Sequence, residues 1–291
     1  MEQRSAPRPL VSAKSSVNTK AERLFIPGPA GRLQALLEFE PNAHARAVAL
    51  VCHLHPLYGG TMHNKVVYRA AKAALQVGLP TLRFNFRGIG KSAGEFAHGV
   101  GEREDVRAAL DLLSTRFPEV PVCMLGFSFG AVVALAVGTA DRRVRALVGL
   151  GVPAGSADLG FLRGVTKPKL IVQGTEDIFG TRGQVEELFA SLAQPKRLHW
   201  VESADHFLTG MLDEVQAAVR SFLLEIVARY SKLYRATWLP ESFSGLCVRR
   251  QYFSGRRPEG SAAACDCRYN SWCAAGTPRR LLPRVNLAWE F

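Results

Sequence analysis

Short apolar runs alternate with amphipathic stretches along most of the chain. The apolar runs have the length of buried β-strands, and they occupy residues 47–53, 81–86, 120–125, 144–150, 170–173 and 197–201. Two stretches between them, 64–76 and 101–117, have apolar residues at helical spacing. Strands that alternate with helices predict an α/β fold with a doubly wound, mostly parallel sheet.

An antiparallel N-terminal hairpin is predicted before this alternation begins. Apolar segments at 24–26 and 33–39 flank a turn at 27–31 that is rich in proline and glycine. In an open α/β sheet, functional side chains lie in the loops that follow the carboxyl ends of the strands. Reactive residues are therefore expected in those loops.

The most informative loop is the five-residue segment Gly126-Phe127-Ser128-Phe129-Gly130. It lies between the predicted strand at 120–125 and an apolar stretch at 131–137 that can form a helix. A serine between two glycines at a strand-to-helix junction is typical of a nucleophile elbow, where only small residues fit beside the sharp turn. The pattern predicts that Ser128 is a nucleophile.

A serine nucleophile requires a base and an acid that orients the base, in the chain order Ser, Asp or Glu, His. Asp177 follows the predicted strand at 170–173, and His206 lies in the loop after the strand at 197–201. Glu176 is an alternative acid, whereas Asp205 lacks a comparable position at the end of a strand. The sequence thus predicts a triad of Ser128, Asp177 and His206.

The segments 53–62 and 83–92, together with the three predicted triad residues, resemble the α/β-hydrolase superfamily. The likeness is to small, lidless bacterial serine hydrolases of the dienelactone-hydrolase-like or serine-aminopeptidase-like kind, and it covers roughly residues 22 to 230. The resemblance implies that the backbone amides of Phe129 and Leu57 form an oxyanion hole. It also makes Asp158 a third candidate acid, because some relatives place the acid after the preceding strand.

The segment at 151–165 is where many relatives have a helical lid, and it is too short for a large one. We therefore expect an open cleft. The expected activity is hydrolysis of a small or medium acyl ester, or less favourably of an amide or thioester, through an acyl-enzyme and without a cofactor. The alternative is a non-catalytic member of the fold that binds a ligand or a partner.

Other polar residues near these loops are expected to have structural roles. His53 and His55 could form a metal pair, but we expect them to shape their loop through hydrogen bonds, so no metal is predicted. Arg83, Asn85 and Arg87 are expected to hold the turn that follows their strand through backbone and carboxylate contacts.

The formal net charge of +12 would ordinarily suggest a nucleic acid partner. From Ser231 onward, however, ten basic and four acidic residues give the tail about half of that charge, so we expect no nucleic acid partner. The first 20 residues lack the apolar core of a secretory signal. No apolar run approaches the roughly 20 residues of a membrane helix. We therefore expect a cytoplasmic protein with a small-molecule substrate.

These features divide the chain into a disordered leader at 1–20, a hydrolase domain at 21–230 and an irregular basic tail at 231–291. Zinc binding by the tail would need cysteines in C-x-x-C pairs or cysteine paired with histidine. Cys265, Cys267 and Cys273 lack this spacing, and no histidine follows His206. A basic interaction tail is a second interpretation. The preferred hypothesis is that a shifted reading frame produced the tail. Resequencing the gene would contradict it if the frame proved continuous and the expressed protein contained the extension.

Overall fold

The protein, described from a computed structural model over residues 19–238, is built around one sheet of eight strands. The spatial order is β1-β2-β4-β3-β5-β6-β7-β8. The strands are β1 Lys20–Gly28, β2 Gly31–Phe39, β3 Val48–Cys52, β4 Thr81–Phe84, β5 Val122–Phe127, β6 Val144–Leu150, β7 Lys169–Gly174 and β8 Lys196–Val201. β1 and β2 form an antiparallel hairpin, β2 is antiparallel to β4, and the other neighbours are parallel. The predicted fold class is confirmed.

Within residues 19–238, five α-helices cover the two faces of the sheet. They are α1 Lys65–Leu75, α2 Val100–Arg116, α3 Phe129–Ala140, α4 Arg182–Ser191 and α5 Leu212–Trp238. One buried cluster joins α1 and α5 to one face, and a second joins α2, α3 and Val185 of α4 to the other. Because both faces are covered, every residue of the central strand β3 is buried.

Local sequence explains where the helices begin and end. The side chain of Asn64 accepts hydrogen bonds from the amides of Val66 and Val67, which caps the start of α1. Glu102 accepts from the amides of Ala97 and Gly99 at 2.8 Å each, which caps α2 and holds the preceding loop.

Two helices, α4 and α5, are absent from the sequence predictions. The last helix continues to Trp238, whereas the sequence pattern predicts an irregular segment from residue 231. The predictions for 1–18 and 239–291, including the tail cysteines, lie outside the described residues. Within residues 19–238, no helix is both long and apolar enough to span a membrane.

Candidate active site

The segment containing Ser128 is a sharp turn between β5 and α3. Ser128 has φ 54° and ψ −121°, a left-handed conformation that is strained for a non-glycine residue. Its amide donates to the carbonyl of Leu150 at 2.9 Å. A Cβ at Gly130 would collide with the carbonyl oxygen of His53, and one at Gly126 would collide with that of Gly130. The two glycines therefore allow the backbone contacts that hold Ser128 in this turn.

The three residues predicted as a triad lie in a hydrogen-bonded series. Oγ of Ser128 is 2.9 Å from Nε2 of His206, and Nδ1 of the same ring is 2.8 Å from Oδ2 of Asp177. The relative exposures of Ser128, His206 and Asp177 are 9%, 7% and 2%, so water has little access to the series. This geometry can move a proton between the serine oxygen and the imidazole while the carboxylate keeps the ring oriented.

The carboxylate of Asp177 is held from both sides. Its Oδ1 accepts from the amides of Phe179 and Gly180 at 2.8 and 3.3 Å, and its Oδ2 accepts from Nε2 of Gln173 at 2.7 Å. The carbonyl oxygen of the Gln173 side chain in turn accepts from the amide of Val152. Gln173 lies on β7, four residues before Asp177 in the chain, and no motif of the sequence indicates its role.

The alternative acids are placed differently. Oδ1 of Asp158 accepts from the amide of Gly160, and Asp205 accepts from the amide and hydroxyl of Thr209. Glu176 is exposed. Of the four carboxylates weighed from sequence, Asp177 is the one that is hydrogen-bonded to His206.

His53 and His55 shape the loop after β3, as predicted. Nδ1 of His53 donates to the carbonyl of Leu54, and its Nε2 accepts from the amide of Phe86. Nδ1 of His55 accepts from the amide of Leu57 at 3.2 Å. Burial lowers the pKa of each imidazole to about 4, so both rings are neutral at neutral pH. The described residues contain no group of three or more His, Cys, Asp or Glu arranged to hold a metal ion.

The turn after β4 is held by ion pairs and amide contacts, also as predicted. Arg87 forms a two-pronged ion pair with the fully buried carboxylate of Asp105, which also accepts from the Arg87 amide. Arg83 donates to Glu38 and to the carbonyl of Met62. Asn85 accepts from the Met62 amide at 2.8 Å. Arg83 and Asn85 thereby connect this turn to the loop that contains Leu57.

No α-helix crosses above Ser128 from the segment between β6 and β7. Residues 151–168 contain only a short 3-10 turn, Gly160–Leu162. The prediction that this segment forms no large lid is confirmed.

A buried serine hydrogen-bonded to a histidine at the carboxyl end of a mostly parallel sheet defines the class of α/β serine hydrolases. The model of the alpha/beta hydrolase domain family matches residues 51–219. An uncharacterized protein from Rickettsia prowazekii is 34% identical over 217 residues, which cover 72% of this chain and 91% of that protein. This chain belongs to the alpha/beta hydrolase family.

Solved structures support the same assignment. An alpha-beta serine hydrolase homologue from Coxiella burnetii is 36% identical with a TM-score of 0.64, and the match covers 69% of this chain and 97% of that one. A serine hydrolase without a lid from Xanthomonas campestris is 31% identical with a TM-score of 0.64, and the match covers 81% of this chain and all of the other.

Proposed function

We propose that this protein hydrolyses a small or medium acyl ester through an acyl-enzyme on Ser128. The observation that supports the proposal most strongly is the unbroken series from Oγ of Ser128 through His206 to Asp177, with spacings of 2.9 and 2.8 Å. Both distances are within the range that proton transfer requires.

In the first half-reaction, His206 accepts the hydroxyl proton as Oγ of Ser128 attacks the ester carbonyl. Asp177 keeps the ring in the tautomer whose Nε2 is free of hydrogen, and it stabilises the imidazolium that forms. When the tetrahedral intermediate collapses, the bond to the alcohol oxygen breaks and His206 gives its proton to that oxygen. In the second half-reaction, water takes the place of the alcohol, and hydrolysis releases the acid and restores Ser128.

The negative oxygen of the tetrahedral intermediate needs hydrogen-bond donors that are in place before the reaction. Phe129 is the first residue of α3, so its amide is at the positive end of the helix dipole. We assign the second donor to the amide of Leu57. The loop that contains Leu57 contacts the elbow, since the rings of His55 in the loop and Phe129 in the elbow are 4.8 Å apart. That amide donates to His55 at the long distance of 3.2 Å, and a charged oxygen is a stronger acceptor than a neutral ring nitrogen.

The test is hydrolysis of p-nitrophenyl acetate, butyrate, hexanoate and octanoate by the parent protein and by Ser128→Ala. We expect the substitution to lower kcat/KM by about 10⁴-fold or more, because it removes the attacking oxygen. Ser156→Ala is the matched control, since Ser156 is exposed in the segment between β6 and β7. Equal turnover by parent and Ser128→Ala would contradict the proposal. A folded parent without turnover on any ester would favour the non-catalytic alternative.

A further inference from the structure

Large apolar side chains are exposed around the candidate site. Leu57, Tyr58, Ile178 and Phe207 are 67%, 56%, 78% and 48% exposed, and we call these four residues the apolar rim. They are four of the nine large hydrophobic residues that are exposed among the described residues. Ile178 directly follows Asp177, and Phe207 directly follows His206. Single exposed apolar residues are ordinary, whereas a group around a reactive site indicates a binding surface.

One part of the apolar rim, Phe207 with Ile178, adjoins His206 and Asp177, and Phe207 makes a ring contact with His206. The ring of His206 is 5.5 Å from that of Phe207 and 4.6 Å from that of Phe179. The ring of Phe127 is also 5.5 Å from the same imidazole. The surroundings of His206 on this side are therefore aromatic.

The other part of the apolar rim, Leu57 and Tyr58, adjoins His55, whose ring contacts Phe129, the residue that follows Ser128. His55 is in ring contact with Phe129, Tyr58 and Phe96, at centroid distances of 4.8, 4.9 and 4.8 Å. Since the His55 ring is neutral at neutral pH, this group offers apolar and aromatic surface rather than charge. The two sides meet at Ser128, which lies between Phe127 and Phe129 in the chain.

We propose that the apolar rim is a two-sided substrate-binding surface that selects an ester with apolar groups on both sides of its carbonyl. This inference rests on the proposed function and identifies the substrate class. His206 must give its proton to the leaving oxygen, so the alcohol lies against His206 and is held by Phe207 and Ile178. The oxyanion points to the Phe129 amide. Tyr58 and Leu57 are the rim residues connected to Phe129 through His55, so the acyl chain lies across them.

The test measures acid release in a pH-stat for two series of esters, and ethyl acetate is the first member of both. The first varies the alcohol, as the acetates of ethanol, butanol and benzyl alcohol, and the second varies the acid, as the ethyl esters of acetic, butyric and hexanoic acids. We expect kcat/KM of the parent to rise along both series. Ethyl hydrogen succinate should react more slowly than ethyl butyrate, because its acyl chain ends in a carboxylate that an apolar surface does not hold.

Two variants should then separate the two sides. Phe207→Ala should lower kcat/KM for benzyl acetate about tenfold and leave the acid series unchanged, because a lost apolar contact typically costs that much discrimination. Tyr58→Ala should lower kcat/KM for ethyl hexanoate about tenfold and leave the alcohol series unchanged. Phe25→Ala is the matched control for Phe207, since Phe25 is a phenylalanine of similar exposure, 43%, on β1. It should change neither series.

The other outcomes would overturn the inference in distinguishable ways. If both variants slowed every ester equally, ethyl acetate included, the side chains would only position His206 and His55, and the proposed function would stand. If Phe207→Ala slowed the acid series and Tyr58→Ala slowed the alcohol series, the assignment of the two sides would be wrong. Unchanged selectivity, with a dimer lost in size-exclusion chromatography, would make the apolar rim a subunit interface. A parent with no Ser128-dependent turnover would overturn the inference together with the proposed function.

Discussion

Replacing His206 with alanine should lower kcat for ester hydrolysis by on the order of 10⁴- to 10⁶-fold, about as much as replacing Ser128. The imidazole is the group within 2.9 Å of Oγ of Ser128, and without it the hydroxyl proton has no acceptor as the oxygen attacks. The same ring returns the proton to the leaving alcohol, so the substitution impairs both bond-forming and bond-breaking steps.

The two residues should also act as one unit. The double variant Ser128→Ala with His206→Ala should be no slower than either single variant, because each change alone already abolishes nucleophilic catalysis. His199→Ala is the matched control, since His199 is a histidine on β8 that pairs with Glu214 at the surface. Near-parent turnover by His206→Ala, measured in steady-state assays, would show that another group is the base.

Asp177→Asn should lower kcat by about 10⁴-fold while substrate binding changes little. Asparagine can donate a hydrogen bond to Nδ1 of His206, which favours the tautomer with hydrogen on Nε2, the nitrogen that must accept the Ser128 proton. The amide nitrogen that replaces Oδ2 can no longer accept from Nε2 of Gln173, whereas the remaining oxygen still accepts from the amides of Phe179 and Gly180.

The residues weighed as alternative acids provide the controls for this variant. Asp158→Asn, Asp205→Asn and Glu176→Gln should each keep kcat within a few-fold of the parent. The assignment of the acid would be wrong if one of them cost more than Asp177→Asn. Separate measurement of kcat and KM distinguishes these cases from a loss of substrate binding.

The strands and the elbow could be predicted from the sequence because their signals are local. An apolar run of strand length followed by Gly126, Ser128 and Gly130 specifies both the buried strand β5 and the sharp turn after it. The helix α4 has a weaker signal because Val185 is its one buried residue. For α5, however, Val215, Val219, Phe222 and Ile226 follow helical spacing, so this helix could have been predicted.

The candidate triad could be named from the sequence because each member follows a separate strand. The residues that support it could not, because their contacts depend on how distant segments meet. Gln173 reaches both Asp177 and Val152 only where β6 and β7 pair. Similarly, a carboxylate contact of Arg87 could be predicted from the sequence, but its partner Asp105 could not, because the pair forms where α2 packs beside the turn after β4.

Labelling with a fluorophosphonate, followed by intact mass measurement and peptide mapping, tests the central claim most directly. The account predicts one adduct on the peptide that contains Ser128, no adduct on Ser128→Ala, and greatly slowed labelling of His206→Ala, because the reagent reacts with an activated serine oxygen. An adduct on a different residue of the folded protein, or labelling of Ser128→Ala at the parent rate, would contradict it.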